Sequence, residues 1–117
     1  MIVDSSAFYA FAGYADHPRA SLAPGECSLR VDMSPYRSIA VDVETCTPGT
    51  VVVEGSPFGT WRADQEAWRE VATLDFDRAS RSVLALPPAD AQYRTYRFRN
   101  AASAPVEFRH ALFSGRP

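Results

Sequence analysis

Two histidines, His17 and His110, are the only residues of the 117-residue sequence that belong to a type titrating near neutral pH. Nucleophilic catalysis requires such a base beside a nucleophile, with a third group to orient it. His17 lies in an Asp-His-Pro sequence typical of a loop, and His110 lies on a predicted strand with Phe108 and Leu112. The sequence therefore predicts no catalytic residue and a protein that is not an enzyme.

Side chains that could hold a metal or a cofactor are dispersed along the chain. Cys27 and Cys46 have no neighbouring cysteine or histidine, so no zinc site is predicted. Free thiols are favoured for both, although a bridge between them stays open. The six glycines form no phosphate-binding loop, so no cofactor is predicted. Calcium is a less favoured alternative, because alternating carboxylates usually mark the solvated face of a strand; these carboxylates are Asp42, Glu44, Asp75 and Asp77.

Aromatic and arginine side chains are the best candidates for binding. Phe58 and Trp61 lie in the predicted loop 56–67, where a rigid aromatic side chain can anchor a protein interface or stack on a sugar ring. Trp68, by contrast, is expected in the core. The complete set of predicted partner-binding residues is Phe8, Tyr9, Phe11, Phe58, Trp61, Arg94, Arg97 and Arg99.

Two outcomes are open for the arginines. Arg97 and Arg99 should project from one face of a strand. They could form a basic patch opposite a separate acidic face made by Asp42, Glu44 and Glu54, or they could form ion pairs across strands of a single sheet.

Period-two hydrophobic patterning at short intervals predicts an all-β protein, an antiparallel β-sandwich with a jelly-roll-like arrangement of about eight strands. The predicted strands are 7–12, 28–33, 37–45, 50–55, 68–76, 82–86, 93–99 and 106–113. A short helix over 64–72 is the competing interpretation of that stretch. The segment 38–56 is expected to be a hairpin, because Pro48-Gly49 is a turn signal between two strand-like runs.

The alternation also predicts which side chains enter the core, since successive side chains of a strand point to opposite faces. Four groups are expected to point inward: Ile39, Val41 and Val43; Leu29, Val31 and Met33; Tyr96 and Phe98; and Val106, Phe108 and Leu112, with His110 on the same side as this last group.

Composition limits the classes of partner. The formal net charge is −2, and all 12 basic residues are arginine, so a protein devoted to neutralising nucleic-acid phosphates is not expected. No apolar run approaches the roughly 18 residues of a membrane span, and the N-terminus lacks the basic start of a secretion signal. We expect residues 1–25 to form an arm or first strand, which could pack on a neighbouring copy, and residues 26–117 to form one sandwich domain.

Four segments together resemble small β-sandwich virion proteins of tailed bacteriophages, of the capsid-decoration or head-associated type. They are YRSIAVDV (36–43), GTVVVEGS (49–56), WREVA (68–72) and YRTYRFR (93–99). The resemblance implies a non-catalytic structural protein that forms homo-oligomers and contacts the major capsid protein or other head and tail components. Such a protein is located in the virion and made in the host cytoplasm. The alternative from the residues themselves is a carbohydrate-binding β-sandwich that uses Phe58 and Trp61.

Overall fold

The computed structural model describes residues 6–9, 20–33, 36–57, 68–87 and 92–116. Within these ranges the chain forms nine β-strands. They are β1 (Ser6–Tyr9), β2 (Ala20–Leu22), β3 (Val31–Asp32), β4 (Ser38–Thr45), β5 (Gly49–Ser56), β6 (Arg69–Phe76), β7 (Ser80–Ala85), β8 (Thr95–Asn100) and β9 (Val106–Arg116). The described residues include no helix that could cross a membrane.

The strands form two antiparallel sheets. Sheet A contains five strands in the order β1-β9-β4-β7, and β2 pairs with β9 beside β1. Sheet B contains four strands in the order β3-β8-β5-β6. The predicted all-β sandwich is therefore confirmed. Strand β2 was not predicted, and the helix over 64–72 is wrong for residues 69–72, which belong to β6.

The two sheets enclose an apolar core whose residues follow the period-two pattern. Ile39, Val41 and Val43 are buried, as predicted for β4, and so are Tyr96 and Phe98 of β8. The Phe98 ring stacks on Phe113 of the opposite sheet, with ring centroids 4.5 Å apart. Buried residues of this core also include Leu22, Val51, Val53, Leu74, Phe76, Leu86, Val106, Phe108 and Ala111.

The expected hairpin between β4 and β5 is wrong, because these strands belong to different sheets. Strand β4 pairs with β7 and β9, and β5 pairs with β6 and β8. Pro48-Gly49 therefore carries the chain from one sheet to the other. Gly49 does not have a positive φ; a Cβ at this position would collide with the Val106 side chain of β9. The glycine permits a close approach between strands and not a hairpin turn.

A β-bulge in β9 explains why Leu112 and His110 do not point inward. Glu44 pairs with His110 and Thr45 pairs with Phe108, so Arg109 is an extra residue without its own partner in β4. A single extra residue reverses the faces of every residue that follows. Val106 and Phe108 therefore point inward as predicted, whereas Leu112 and His110 lie on the outward side of sheet A.

An irregularity before β3 similarly overturns the prediction for Leu29, which is 50% exposed. Cys27 lies opposite Arg99 and Val31 lies opposite Tyr96, so four steps along one segment match three along the other. The extra residue between Cys27 and Val31 shifts the alternation, so the side chains before it point to the opposite face from the one predicted. Val31 and Met33 are buried as predicted.

Several predictions fall near the ends of the described ranges. Strands β1 and β2 lie within the segment 1–25, and both pair with β9. The predicted residues 10–12 of the first strand lie outside the described residues. Cys27 and Cys46 are free cysteines; Cys27 adjoins sheet B, and Cys46 follows β4 of sheet A.

We expect Gly55→Ala to destabilise the sandwich. A Cβ on Gly55 would lie 2.7 Å from Cδ2 and 2.8 Å from Cγ of Tyr93, whose ring packs edge-on against the buried Tyr96 ring. Displacement of a packed ring should lower the free energy of unfolding by about 1–3 kcal/mol, measured by urea denaturation. Thr73→Ala, at an exposed position of β6, should change it by less than about 0.5 kcal/mol. Equal effects of the two substitutions would contradict this account.

Candidate binding face

The outward side of sheet B carries a connected group of polar and aromatic side chains. Tyr96 and Phe98 enter the core, so the alternation of β8 places Arg97 and Arg99 on the outward side. Glu54 of β5 lies directly opposite Arg97 in the strand register. The predicted orientation of the two arginines is confirmed.

Glu54 is the centre of this face. Its side chain is only 9% exposed, and both carboxylate oxygens accept hydrogen bonds from arginine: Oε1 from Arg97 Nε at 2.9 Å and Oε2 from Arg99 Nε at 3.1 Å. A buried carboxylate is costly unless opposite charges and hydrogen bonds compensate its lost hydration. The two guanidinium groups provide both. Cross-strand ion pairing is therefore the correct interpretation for Glu54, and a separate acidic face containing Glu54 is wrong.

Glu70 extends the network to β6. A register shift between Val53 and Glu54 brings Glu70 opposite Glu54, where two carboxylates would repel each other. Arg99 relieves this repulsion because its Nη2 donates to Glu70 Oε1 at 2.9 Å while its Nε donates to Glu54. The Glu70 side chain is 63% exposed. One arginine thus joins a buried carboxylate to an exposed one.

Trp68 packs against this network from the chain segment just before β6. The Cζ atom of Arg97 lies 3.9 Å from the centroid of the Trp68 ring. This contact is a cation–π interaction between the guanidinium and the indole. Trp68 is half-buried and does not belong to the core, so the core prediction for it is wrong. Its indole Nε1 is buried and has no hydrogen-bond partner among the described residues.

Arg97 has hydrogen-bond donors that no described residue uses. Among the described residues it donates hydrogen bonds through Nε alone, so its Nη1 and Nη2 amino groups make none. The ion pair with Glu54 and the contact with Trp68 fix the position of the guanidinium plane. The face therefore presents a positioned planar donor beside a partly exposed aromatic ring.

Cys27 borders the same face, opposite Arg99. Burial raises the pKa of its thiol, and the positive charge of Arg97 opposes this effect only in part. The thiol is therefore neutral at pH 7 and adds no charge to the network. Arg94 lies apart from it, with its Nε 3.8 Å from Asp32 Oδ2 and most of its side chain exposed.

The outward side of sheet A carries a second group of charged residues. Asp42 accepts hydrogen bonds from Arg81, with Nη2 2.7 Å from Oδ2, and its Oδ1 lies 2.6 Å from His110 Nε2. Glu44 Oε1 lies 3.7 Å from His110 Nδ1. Within the described residues His110 contacts these carboxylates and no nucleophilic hydroxyl or thiol, so the arrangement of a hydrolytic triad is not formed there.

Metal binding finds no support in the described ranges, where no three His, Cys, Asp or Glu side chains are arranged to hold a metal ion. Two of the four carboxylates considered for calcium are engaged with other side chains: Asp42 with Arg81, and Asp75 Oδ1 with the Thr50 hydroxyl at 2.9 Å.

A shallow cavity of about 430 Å³ lies at the other end of the outward side of sheet A. Its lining consists mainly of small side chains from β4, β7 and β9, with Arg116 as the charged residue. The described residues of this lining include no aromatic ring and no ion-pair network comparable to the one around Glu54.

The structure brings only some of the predicted binding residues together. Arg97 and Arg99 share the network on sheet B, and Arg94 does not take part. Phe8 and Tyr9 lie in β1, where they pair with Phe113 and Leu112 of β9. Phe11, Phe58 and Trp61 lie outside the described residues. Sequence reasoning left the role of Glu54 open between an acidic face and an ion pair, although a lone carboxylate in the apolar run GTVVVEGS is a signal for a buried ion pair.

No protein-family model matches the chain, and no curated protein matches it. Solved structures with similar folds include a family 29 carbohydrate-binding module from Piromyces equi, with 11% identity and a TM-score of 0.51 over 97% of this chain and 92% of that one. Chitosan-binding module 1 of a chitosanase/glucanase from Paenibacillus sp. IK-5 aligns over 93% of this chain and 92% of its own, with 11% identity and a TM-score of 0.54.

A selenomethionine-labelled point mutant of the same module gives 13% identity and a TM-score of 0.55 over 95% of this chain and 92% of its own. At such low identity these likenesses show the fold, a β-sandwich of the kind found in carbohydrate-binding modules. They lend no support to the resemblance to phage virion proteins, which stays a prediction.

We expect Glu54→Gln to destabilise the protein far more than Glu70→Gln. The first substitution removes the buried carboxylate that two guanidinium groups share and leaves Arg97 without a carboxylate partner among the described residues, so it should lower the free energy of unfolding by about 1–3 kcal/mol. The second removes an exposed partner of Arg99 and should cost less than about 0.5 kcal/mol. Urea denaturation at pH 7 compares the two. A Glu54→Gln variant as stable as Glu70→Gln would show that the buried network contributes little.

Asp42 should make the stability depend on acid pH. The hydrogen bond from Arg81 holds the pKa of the Asp42 carboxyl below its ordinary value, and His110 acts in the same direction. A carboxyl with a lowered pKa stabilises the folded state above its unfolded pKa of about 4, and this contribution is lost as the pH falls through the folded value. Wild type should exceed Asp42→Asn in stability at pH 6, and the difference should shrink at pH 3. A difference that stays constant or grows at pH 3 would contradict the assignment.

Proposed function

We propose that the protein is a non-catalytic carbohydrate-binding β-sandwich and that a glycan contacts the outward side of sheet B around Trp68 and Arg97. The observation that carries this proposal is the Arg97 guanidinium, which Glu54 holds and which stacks on Trp68, while its two terminal amino groups make no hydrogen bond to any described residue.

Sugar rings present two kinds of surface. The C–H groups of a pyranose form an apolar patch that packs on an aromatic ring, and its hydroxyl groups exchange hydrogen bonds with planar polar side chains. Trp68 supplies the first kind of contact. Arg97 supplies donors for the second, with Glu70 of β6 as an exposed acceptor on the same face.

Preorganisation favours binding at this face. An arginine side chain normally loses considerable rotamer freedom when it binds a ligand. Here Glu54 and Trp68 already restrict Arg97 in the free protein, so that loss has occurred on folding. The similar folds named above belong to modules whose names state that they bind carbohydrate or chitosan, which supports this type of function for the sandwich.

The aromatic loop remains a second prediction for the same function. Phe58 and Trp61 precede Trp68 by a few residues in the sequence. They were predicted as a stacking platform, and their contribution can be tested separately from that of Trp68.

Trp68→Ala should weaken glycan binding by about tenfold or more, because truncation of a binding-site tryptophan typically removes over about 1–2 kcal/mol of affinity. Affinity gel electrophoresis against glucomannan, xyloglucan, chitosan and polygalacturonate measures the change. Trp61→Ala tests the contribution of the loop separately, and circular dichroism checks the fold of both variants.

Loss of binding only in Trp61→Ala would place the site on the loop and refute the sheet B site. A wild-type protein that binds no glycan would refute the carbohydrate-binding function itself. Light scattering with and without purified phage heads would then test the assembly role that the sequence resemblance implies.

A further inference from the structure

The charges on the binding face are not evenly compensated. Glu54 contributes one negative charge and shares it between Arg97 and Arg99. Arg99 has a second carboxylate partner in Glu70, whereas Arg97 has no carboxylate partner among the described residues except one oxygen of Glu54. The end of the face beside Trp68 therefore carries the least compensated cation of the network.

The geometry of Arg97 suits a carboxylate ligand. The Nε edge of the guanidinium is occupied by Glu54, and the ring contact with Trp68 fixes its plane. The remaining edge contains Nη1 and Nη2, whose spacing matches the two oxygens of a carboxylate in a bidentate pair. The side chain is 19% exposed, so a pair formed there would be partly shielded from water and stronger than one at the open surface.

The overall charge of the protein does not favour the binding of a carboxylate ligand. The net charge of −2 opposes general attraction to a polyanion, so binding of an acidic polymer would have to depend on a local site. Other arginines are less suitable: Arg81 is bound to Asp42, and Arg94 lies in an exposed position near Asp32.

We propose that this face recognises a uronic acid unit of an acidic polysaccharide, with the sugar carboxylate bound by Nη1 and Nη2 of Arg97 and the pyranose ring beside Trp68. The inference rests on the proposed carbohydrate-binding function and names its ligand class.

Polygalacturonate and its methyl ester are matched probes, because they share a backbone and differ in the carboxylate charge. Isothermal titration calorimetry should show that the wild-type protein binds polygalacturonate at least about tenfold more tightly than the ester, since charge-assisted hydrogen bonds exceed neutral ones. The preference should persist at 0.3 M salt, because the pair is partly shielded.

Four substitutions at three arginines locate the interaction. Arg97→Gln should reduce the affinity for polygalacturonate about tenfold and bring it close to that for the ester. Arg69→Gln removes a charge from an exposed position at the start of β6, and Arg116→Gln removes the charge from the cavity on sheet A; neither should change the affinity by more than about twofold. Arg97→Lys keeps the charge without the planar donor pair, and its affinity should be intermediate.

The results separate the two levels of the proposal. Equal binding of polygalacturonate and ester would overturn uronate recognition and leave carbohydrate binding intact, and binding of no glycan would overturn both. Equal losses in Arg97→Gln and Arg69→Gln would indicate general charge attraction, and a loss confined to Arg116→Gln would place the carboxylate in the cavity on sheet A. Either outcome would refute the assignment to Arg97. If Arg97→Gln does not fold, the affinity of Arg97→Lys decides: no change relative to wild type would also refute it.

Discussion

The stacking of Phe98 on Phe113 is the interaction on which the rest of the structure depends. Phe98 belongs to sheet B and Phe113 to sheet A, so their contact at 4.5 Å joins the two layers. Tyr96 adds a second contact with Phe113, at 5.7 Å between centroids. Burial of large aromatic side chains contributes strongly to a core of this size, because each removes much apolar surface from water.

The same packing determines what appears on the outer surface. Once Tyr96 and Phe98 are committed to the core, Arg97 and Arg99 must point away from it. Both arginines then lie on the same side as Glu54, which is opposite Arg97 in the strand register. Glu54 can be buried only because the two guanidinium groups neutralise its carboxylate. The ion-pair network and the position of Arg97 on Trp68 are therefore indirect products of core packing in β8. The proposed binding face lies on strands, which hold side chains more rigidly than loops do.

The alternation of side chains was predictable from the sequence, and the pairing of strands was not. Ile39, Val41 and Val43 reveal their face locally, since each strand must bury one side. Pro48-Gly49 indicates that a strand ends there, but it does not indicate which strand the next one pairs with. The sequence therefore did not show that β4 and β5 belong to different sheets. The extra residues near Arg109 and Leu29 could not be predicted from the sequence either, because an extra residue is defined only relative to the opposite strand. Trp68 was misplaced for a related reason: its contact with Arg97 depends on the register of two strands distant in sequence.

Strand β9 lies at the centre of sheet A, with β1 and β2 on one side and β4 on the other. All three partners precede it in the chain, so during synthesis they emerge with no complement for the edges that β9 will fill. The strand pairing of sheet A cannot be completed until β9 has been translated. The apolar sides of its earlier strands stay exposed to water during that interval. Such non-local pairing slows folding and leaves strand edges exposed to other chains. The nascent protein is therefore more prone to aggregation than a meander, in which each strand pairs with its neighbour in the sequence.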